Sequence, residues 1–457
     1  MNYLRVLFDL YNAKNNAKKS AAQIKKLQQR ELRKMLKYAY DHSEYYRQAF
    51  QAAGITAENI NIAPLEDFPT IDKQTLLSHF DEIITVSDIT QDELRRFDES
   101  AEKDRRAFKE KYHVVHSSGS TGKPGYFVYD NNAWNAMLIG IIRAALWGMS
   151  MPQILKLLAE KPRIAYIAAT DGRYGGAMAV GDGIGGVGAS QIYLDVKTPL
   201  SEWIERIREF NPNMIIGYPS AVKILGELAE NGDVELNITR VVTCGEPLGA
   251  NLRRYLESVF ATEVINFYGA SESLVLGVES DPEHGMILFD DMNVIEVQDG
   301  NMYLTSLYNF AQPLIRYRLT DSLTLQKADD NCPFTRAVGL LGRSEDILWF
   351  EDSMGNREFL HPLAVEGFCI EGLMDYQFVQ LGNNVFEMRA QVSAEYSCNN
   401  IRNEIIERMK MVLNEKHLDF VQFYVKFVDE ILPEQTTGKK RLIIGTSQYE
   451  QTRRAAV

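Results

Sequence analysis

Four cysteines among 457 residues, none in a CxxC pair, leave neither a disulfide framework nor a zinc ribbon to be expected. Seven histidines and no Ser/His/Asp arrangement argue against nucleophilic catalysis by a side chain. Long apolar runs are missing too. The most apolar helical stretch, "NAWNAMLIGIIRAALWGM", is too short and too broken to span a bilayer. The start, "MNYLRVLFDLYNAKNNAKKS", has no long apolar core and no small-residue cleavage site, so no signal peptide is expected and the cytoplasm is the default compartment. Positive charge is scarce: 49 Lys and Arg stand against 62 Asp and Glu, a net charge of −13. Such a chain is a poor partner for nucleic acid or an anionic membrane, and a nucleotide must be held by local lysines, arginines and backbone N–H groups.

What remains is an ordinary globular balance, 45% apolar and 24% charged, at a length suited to two or three domains. Residues 21–53 read as amphipathic helices, and "TIDKQTLLSHF" as a short capped helix. The charge-dense residues 92–112 read as a solvated helix or loop. From "RIAYIAA" to "EVINFYG", strand-like and helical runs alternate, which predicts parallel βαβ layers. Residues 286–325 carry short strands. After "GRSEDILWF" the pattern changes to a compact α+β unit: "AVEGFCIEGL" helical, "QFVQLG" and "VFEMRAQV" strands, "NNIRNEIIERMKMVL" an amphipathic helix, "FYVKFVDEI" a strand. No repeat or low-complexity tract interrupts the chain.

Several short stretches carry chemistry. "HSSGSTGKPG" packs three glycines, three serines, a threonine and a lysine into residues 116–125. Small residues let backbone N–H groups approach phosphate oxygens, while Ser117, Ser118, Ser120, Thr121 and Lys123 add donors and charge; a soft surface turn fits the same composition. The Walker pattern does not fit, because Gly119 and Gly122 are three apart and Pro124 follows the lysine. "GDGIGG" at 181–186 matches G-x-G-x-x-G but precedes a strand, so it reads as a loop. "VVTCGEPLG" and "INFYGASES" are strands that run into polar turns, where open α/β sheets bind ligands; Glu272 in the second suits magnesium. "PLIRYRLTDS" ends in Asp321, which either binds a ribose diol or pairs with Arg316 or Arg318. "GRSED" and "QTTGKKRLI" are basic turns.

Taken in order and spacing, these blocks resemble those of the adenylate-forming superfamily of acyl- and aryl-CoA ligases, luciferases and nonribosomal adenylation domains. "SSGSTGKPG" resembles its phosphate loop, "GEP" its adenine-side turn, "YGASE" its Tyr-Gly-x-Thr-Glu block, "YRLTD" its ribose block, "GRSED" its hinge and "TTGK" its catalytic-lysine block. The match runs over nearly the whole chain. "LRKMLKYAYDHSEYYRQAFQAAGI", "FPTIDKQTLLSHF", "GYPSA" and "PLIRYRLTD" resemble the phenylacetate-CoA ligase branch. "GYFVYD" is similar to its deazaflavin-coenzyme synthetase-like members, whose relatives also occur in polysaccharide gene clusters.

The resemblance implies an α/β fold: a large multi-layer adenylation domain over residues 1–341 (helices to 90, ATP and acid site from 91), a hinge at 342–348, and a small mobile α+β domain over 349–457. It implies ATP, magnesium and coenzyme A, and no zinc, since Cys332 stands alone before the hinge. Ser117, Ser118, Gly119, Ser120, Thr121, Gly122 and Lys123 would hold the β- and γ-phosphates. Gly245, Glu246 and Pro247 would flank adenine beside Tyr268 and Gly269. Ser271 would touch the α-phosphate, Glu272 hold magnesium, and Asp321 take the ribose with help from Arg343. Lys439 would reach the α-phosphate and the attacking carboxylate. Tyr166, Tyr218 and Ala270 are pocket-wall candidates.

Three positions depart from the pattern: Ser271 replaces Thr, Glu345 replaces the hinge Asp, and Arg441 follows Lys439 one position early, which leaves Lys440 as an alternative to Lys439. The expected activity is ATP-dependent conversion of an aryl or acyl carboxylate to its adenylate and transfer to a thiol of coenzyme A or a carrier protein. An adenylyltransferase acting on a hydroxyl, and a non-catalytic nucleotide-binding relative, are the alternatives. A homodimer is left open.

Overall fold

The structure is a computed structural model. It describes residues 3–99, 107–116, 125–168, 176, 178–179, 181, 189–195, 200–319, 321–329, 332–343, 348–351, 357–360, 370–415, 418–432 and 442–445. The chain opens with helices Tyr3–Asn16, Ala21–His42 and Glu44–Ala52. Ser20 starts the second through a reciprocal capping box with Gln23. Its buried residues Ile24, Leu32, Met35, Leu36 and Ala39 form one helical stripe. Asp72 caps the expected short helix, Lys73–Ser78, and Asp130 caps the apolar helix Asn131–Ala145.

Among the described residues, twenty strands follow: β1 Tyr112–His116, β2 Tyr126–Asp130, β3 Arg163–Ala168, β4 Ser190–Asp195, β5 Met214–Gly217, β6 Arg240–Cys244, β7 Val264–Ala270, β8 Ser273–Glu279, β9 Met286–Leu288, β10 Asn293–Gln298, β11 Asn301–Ser306, β12 Tyr317–Leu319, β13 Asp321–Gln326, β14 Arg336–Arg343, β15 Leu348–Glu351, β16 Arg357–Leu360, β17 Leu373–Gly382, β18 Val385–Val392, β19 Gln422–Phe427 and β20 Ile443–Ile444. Nine of them form one sheet in the order β13-β14-β9-β8-β7-β6-β5-β3-β4. The expected parallel layers are β4, β3, β5, β6 and β7, linked by helices Leu200–Phe210, Pro219–Glu230 and Ala250–Phe260. Their apolar residues, such as Ile164, Ile215, Val241 and Val264, are buried, as strands covered on both faces require. From β7 onward the pairing turns antiparallel.

Chain order reverses at β3, which lies between β4 and β5. In open α/β sheets, ligands bind outside the carboxyl ends of the parallel strands near such a switch point. β1 and β2 make a separate hairpin, and β10, β11 and β12 a small antiparallel sheet. The stretch "LIRYRL" becomes a strand only at Tyr317, because Arg316 has a left-handed φ of 49°.

Beyond the large sheet, β17 and β18 pair antiparallel, flanked by β20 and β19, and helix Cys398–Glu415 packs on them. Phe378, Phe386, Met388, Ile405 and Met409 form a core of their own, which Leu348 and Phe350 join. The expected helix "AVEGFCIEGL" lies mostly outside the described residues. Its end is not helical: Gly372 turns with φ 84° and Leu373 starts β17. The "GDGIGG" stretch also lies mostly outside them.

Candidate functional site at the carboxyl ends of the sheet

"YGASE" is a tight hairpin rather than a strand running into a loose turn. Ala270 and Ser273 are register partners, so Ser271 and Glu272 form the tip between β7 and β8. Gly269 is required behind that tip, since a Cβ there would lie 2.6 Å from the Leu274 carbonyl oxygen. The tip rests on the β1–β2 hairpin. Ser271 Oγ lies 3.5 Å from the His116 carbonyl, and the Tyr129 hydroxyl lies 3.3 Å from the carbonyls of both Ser271 and Glu272. Behind it runs a buried polar chain. Tyr129 bonds Tyr308; Tyr308 lies 2.9 Å from Ser273 Oγ; Ser273 donates to Asn293 at 3.1 Å; and Asn293 donates to the Val275 carbonyl at 2.7 Å. With every member bonded, such a network fixes the tip in one conformation.

The two acids of the site each meet a buried phenol. Tyr268 donates to Asp321 Oδ2 at 2.8 Å, and Tyr317 bonds the Glu272 carboxylate. Burial first, then the neighbouring carboxylates, push both phenols up, so they stay protonated and act as fixed donors. Arg316 and Arg318 are taken up by other partners. Arg316, 4% exposed, binds Glu296 at 3.2 Å and the carbonyls of Glu66 and Phe68 at 2.8 and 2.7 Å, and Arg318 reaches Asp72 at 3.4 Å. Asp321 faces the backbone of Arg343 across β13 and β14, which sets the fourth and fifth motif blocks side by side.

The adenine-side turn follows β6. Gly245 has φ 79°, and a Cβ there would lie 2.8 Å from the Tyr218 ring, so only glycine lets the turn pack on that tyrosine. Gly245 and Pro247 are exposed at the strand's carboxyl end. The Glu246 carboxylate turns the other way. It accepts from Ser220 N and Ser220 Oγ, each at 3.0 Å, and so holds the start of helix Pro219–Glu230. Tyr218 follows β5 as the residue before helix Pro219–Glu230, and Ala270 ends β7. Tyr166 is a buried strand residue packed edge-on to Tyr193 at 5.9 Å.

Residues 117–123, Glu345, Lys439 and Lys440 lie outside the described residues, and of Arg343 only the backbone is described. His116 and Tyr126, the terminal pair of the β1–β2 register, stand on either side of residues 117–125. Asp98 contacts both, at 3.2 Å from His116 Nδ1 and 3.3 Å from the Tyr126 hydroxyl. One acid of the charge-dense segment is therefore turned inward. His113 packs, stacked on Trp134 at 4.4 Å, whereas His116 takes this polar contact. Sequence reasoning missed Asp98, Tyr129, Tyr308, Tyr317, Ser273 and Asn293. Tyr129 inside "YFVYD", Tyr317 inside "YRLTD" and Ser273 inside "INFYGASES" stood within motif stretches, but nothing in those letters assigned them a role.

For magnesium, the half-exposed Glu272 carboxylate on the tip offers one hard oxygen donor group beside the stretch expected to hold phosphates. That fits an ion that takes one or two carboxylates and completes its shell with phosphate and water. Among the described residues, no helix is long and apolar enough to cross a membrane.

The family model for AMP-binding enzymes matches residues 50–286, just over half of the chain. Phenylacetate-coenzyme A ligase of Pseudomonas putida is 26% identical over 339 residues, 69% of this chain and 70% of its own. Protein CapK of Staphylococcus aureus is 22% identical over 443 residues, 92% and 88% of the two chains. Among solved structures, 2-hydroxyisobutyryl-CoA ligase in its postadenylation state, bound to 2-HIB-AMP, superposes with TM-score 0.71 at 19% identity, over 97% of this chain and 94% of its own. That superposition is a likeness of fold, large domain and C-terminal domain together. None of these three matches speaks to the deazaflavin-synthetase-like branch.

Proposed function

Because this chain belongs to the AMP-binding enzyme family, within the adenylate-forming superfamily, we propose that it is an AMP-forming ligase that activates a carboxylic acid with ATP and passes it to coenzyme A. The observation that carries the reading is the meeting of distant blocks. The Ser271–Glu272 tip touches His116, 155 positions away, and Tyr268 of the same hairpin holds Asp321, 53 positions away. ATP laid across the carboxyl ends of β6 and β7 would meet all of them at once.

In this reading the carboxylate oxygen attacks the α-phosphorus and pyrophosphate leaves. The acid becomes a mixed anhydride, a far better electrophile. Residues 117–123 hold the departing phosphates by backbone N–H groups, hydroxyls and Lys123. Gly245 and Pro247 border adenine, with Glu246 acting indirectly by anchoring their turn. Asp321 takes the ribose hydroxyls and Arg343 supports it. Glu272 would hold magnesium, and a bound ion would supply several kcal/mol of electrostatic stabilisation to charge on the phosphates. Lys439 adds a positive charge at the α-phosphate, and the 342–348 hinge lets the 349–457 domain withdraw it before the thiol attacks. Tyr218 and Ala270 border the acid, while Tyr166, inside the sheet, shapes their support.

ATP–pyrophosphate exchange over a panel of aryl and short acyl acids tests this, with Lys439→Ala as control. Acid-dependent exchange that falls at least about 100-fold in the variant is expected, the scale of a lost electrostatic stabiliser. Exchange with no acid, or undiminished exchange in the variant, overturns the reading.

A further inference from the structure

Tyr268 occupies the position that by resemblance lies against adenine, yet its hydroxyl is committed elsewhere. The side chain is 9% exposed, and its oxygen lies 2.8 Å from Asp321 Oδ2 and 3.5 Å from Met302 Sδ. Asp321 is the first residue of β13, where the register shifts between Asp321 and Ser322. The backbone of Asp321 pairs with Arg343 at this irregular strand start, while its carboxylate takes its orientation from the groups that bond it, Tyr268 among them. Tyr268 stands on the central strand β7, paired on both sides, and is the more rigid of the two partners. The phenol keeps its proton, because burial and the carboxylate both oppose its loss.

We propose that Tyr268 is a positioning residue: its hydroxyl fixes the Asp321 carboxylate and thereby sets how strongly the site prefers a ribonucleotide over a deoxyribonucleotide. The inference rests on the reading of Asp321 as the ribose acid. A carboxylate free to rotate binds one sugar hydroxyl nearly as well as two. One locked in place by a donor on Oδ2 holds its remaining lone pairs at the spacing of a vicinal diol. Recognition of a 2′,3′-diol then depends on a residue that touches no sugar atom. A similar device serves the other acid of the site, since Tyr317, 1% exposed, bonds Glu272 from β12. The site thus sets each charged group with a buried phenol from a neighbouring strand.

The test measures dissociation constants for Mg-ATP, 2′-deoxy-ATP and 3′-deoxy-ATP by calorimetry on the full chain, which needs no knowledge of the acid. The variants are Tyr268→Phe and Asp321→Asn, each checked for a wild-type melting profile. Tyr268→Phe keeps the ring and its packing, so a role confined to the adenine face predicts an unchanged preference. The proposal predicts that Tyr268→Phe loses about ten-fold of the preference for ATP over both deoxy analogues, the worth of one hydrogen bond to a charged group, through weaker ATP binding alone. Asp321→Asn should abolish the preference. If Asp321→Asn abolishes it while Tyr268→Phe retains it, the inference fails and the reading of Asp321 survives. If Asp321→Asn retains the preference, the reading of Asp321 fails and the inference with it. Should Tyr268→Phe melt early, Tyr268→Trp, which keeps a large aromatic ring but removes the hydroxyl, is measured the same way, and a retained preference there overturns the proposal.

Discussion

Gln312 offers a quantitative test of how the β1–β2 hairpin is held. Among the described residues β2 has β1 alone as a strand neighbour, so its second edge needs other partners. A fully buried side-chain amide supplies them: Gln312 Oε1 accepts from Val128 N at 2.7 Å, and Nε2 donates to the Tyr126 carbonyl at 3.1 Å. Asn309 adds a bond to the Val128 carbonyl at 2.9 Å. The Gln312→Leu exchange roughly preserves volume and removes both bonds, leaving a buried N–H and a buried carbonyl unpaired. At about 1–3 kcal/mol per orphaned group, the cost is about 2–6 kcal/mol. In a domain of this size that is a loss of roughly 3–8 °C in melting temperature. Trp134 reports the event, since it lies edge-on to Tyr129 of β2 at 5.7 Å and stacks on His113 of β1 at 4.4 Å. Urea unfolding followed by tryptophan emission, with hydrogen exchange at the Val128 amide, measures both parts. A destabilisation under about 0.5 kcal/mol, or wild-type protection of that amide, would refute the reasoning.

Other consequences are equally direct. Arg143 and Asp291, 1% and 4% exposed at their side chains, pair at 2.6 and 3.0 Å; Arg143→Met should cost about 3–5 kcal/mol in urea unfolding, and adding Asp291→Leu should restore much of it. Asp98→Asn loosens the two residues that bracket 117–125, and should raise the KM for ATP about three- to ten-fold while moving the melting temperature by less than about 2 °C. Burial raises the Asp290 carboxyl from 3.8 to about 6. An acid with a raised folded pKa holds its proton longer in the native state, so stability falls as pH rises from about 4 to about 6 and stays lower above. Asp290→Asn should therefore gain on the wild type by about 2 kcal/mol between pH 4 and pH 7 in paired urea titrations; a pH-independent difference would contradict it.

Much of this was legible in the linear chain because it is local. The capped helix after Asp72, the alternation from β3 to β7 and the glycine turns at 245 and 269 depend on neighbours in sequence. So did the strand-end character of "GEP" and "YGASE". What could not be read is what crosses the sheet. Nothing in "QPLIRYRLTDS" says that Arg316 is taken up by Glu296, Glu66 and Phe68, or that Tyr268 bonds Asp321. Nothing in "VVTCGEPLG" says that Glu246 turns away to Ser220, a preference set by a helix start 26 positions earlier. Asp98 was hidden by its surroundings. In a run of charges, one inward acid has the same letters as its solvated neighbours, and only the fold selects it.

The central claim is that the acid itself attacks the α-phosphorus of ATP. Isotope transfer tests it most directly: an active acid from the exchange panel, labelled with 18O in its carboxylate, is turned over with ATP and coenzyme A. Formation and thiolysis of an acyl-adenylate must leave one carboxylate oxygen on AMP, so the account predicts one 18O per AMP released. AMP without label, or label in inorganic phosphate alongside ADP, would contradict it.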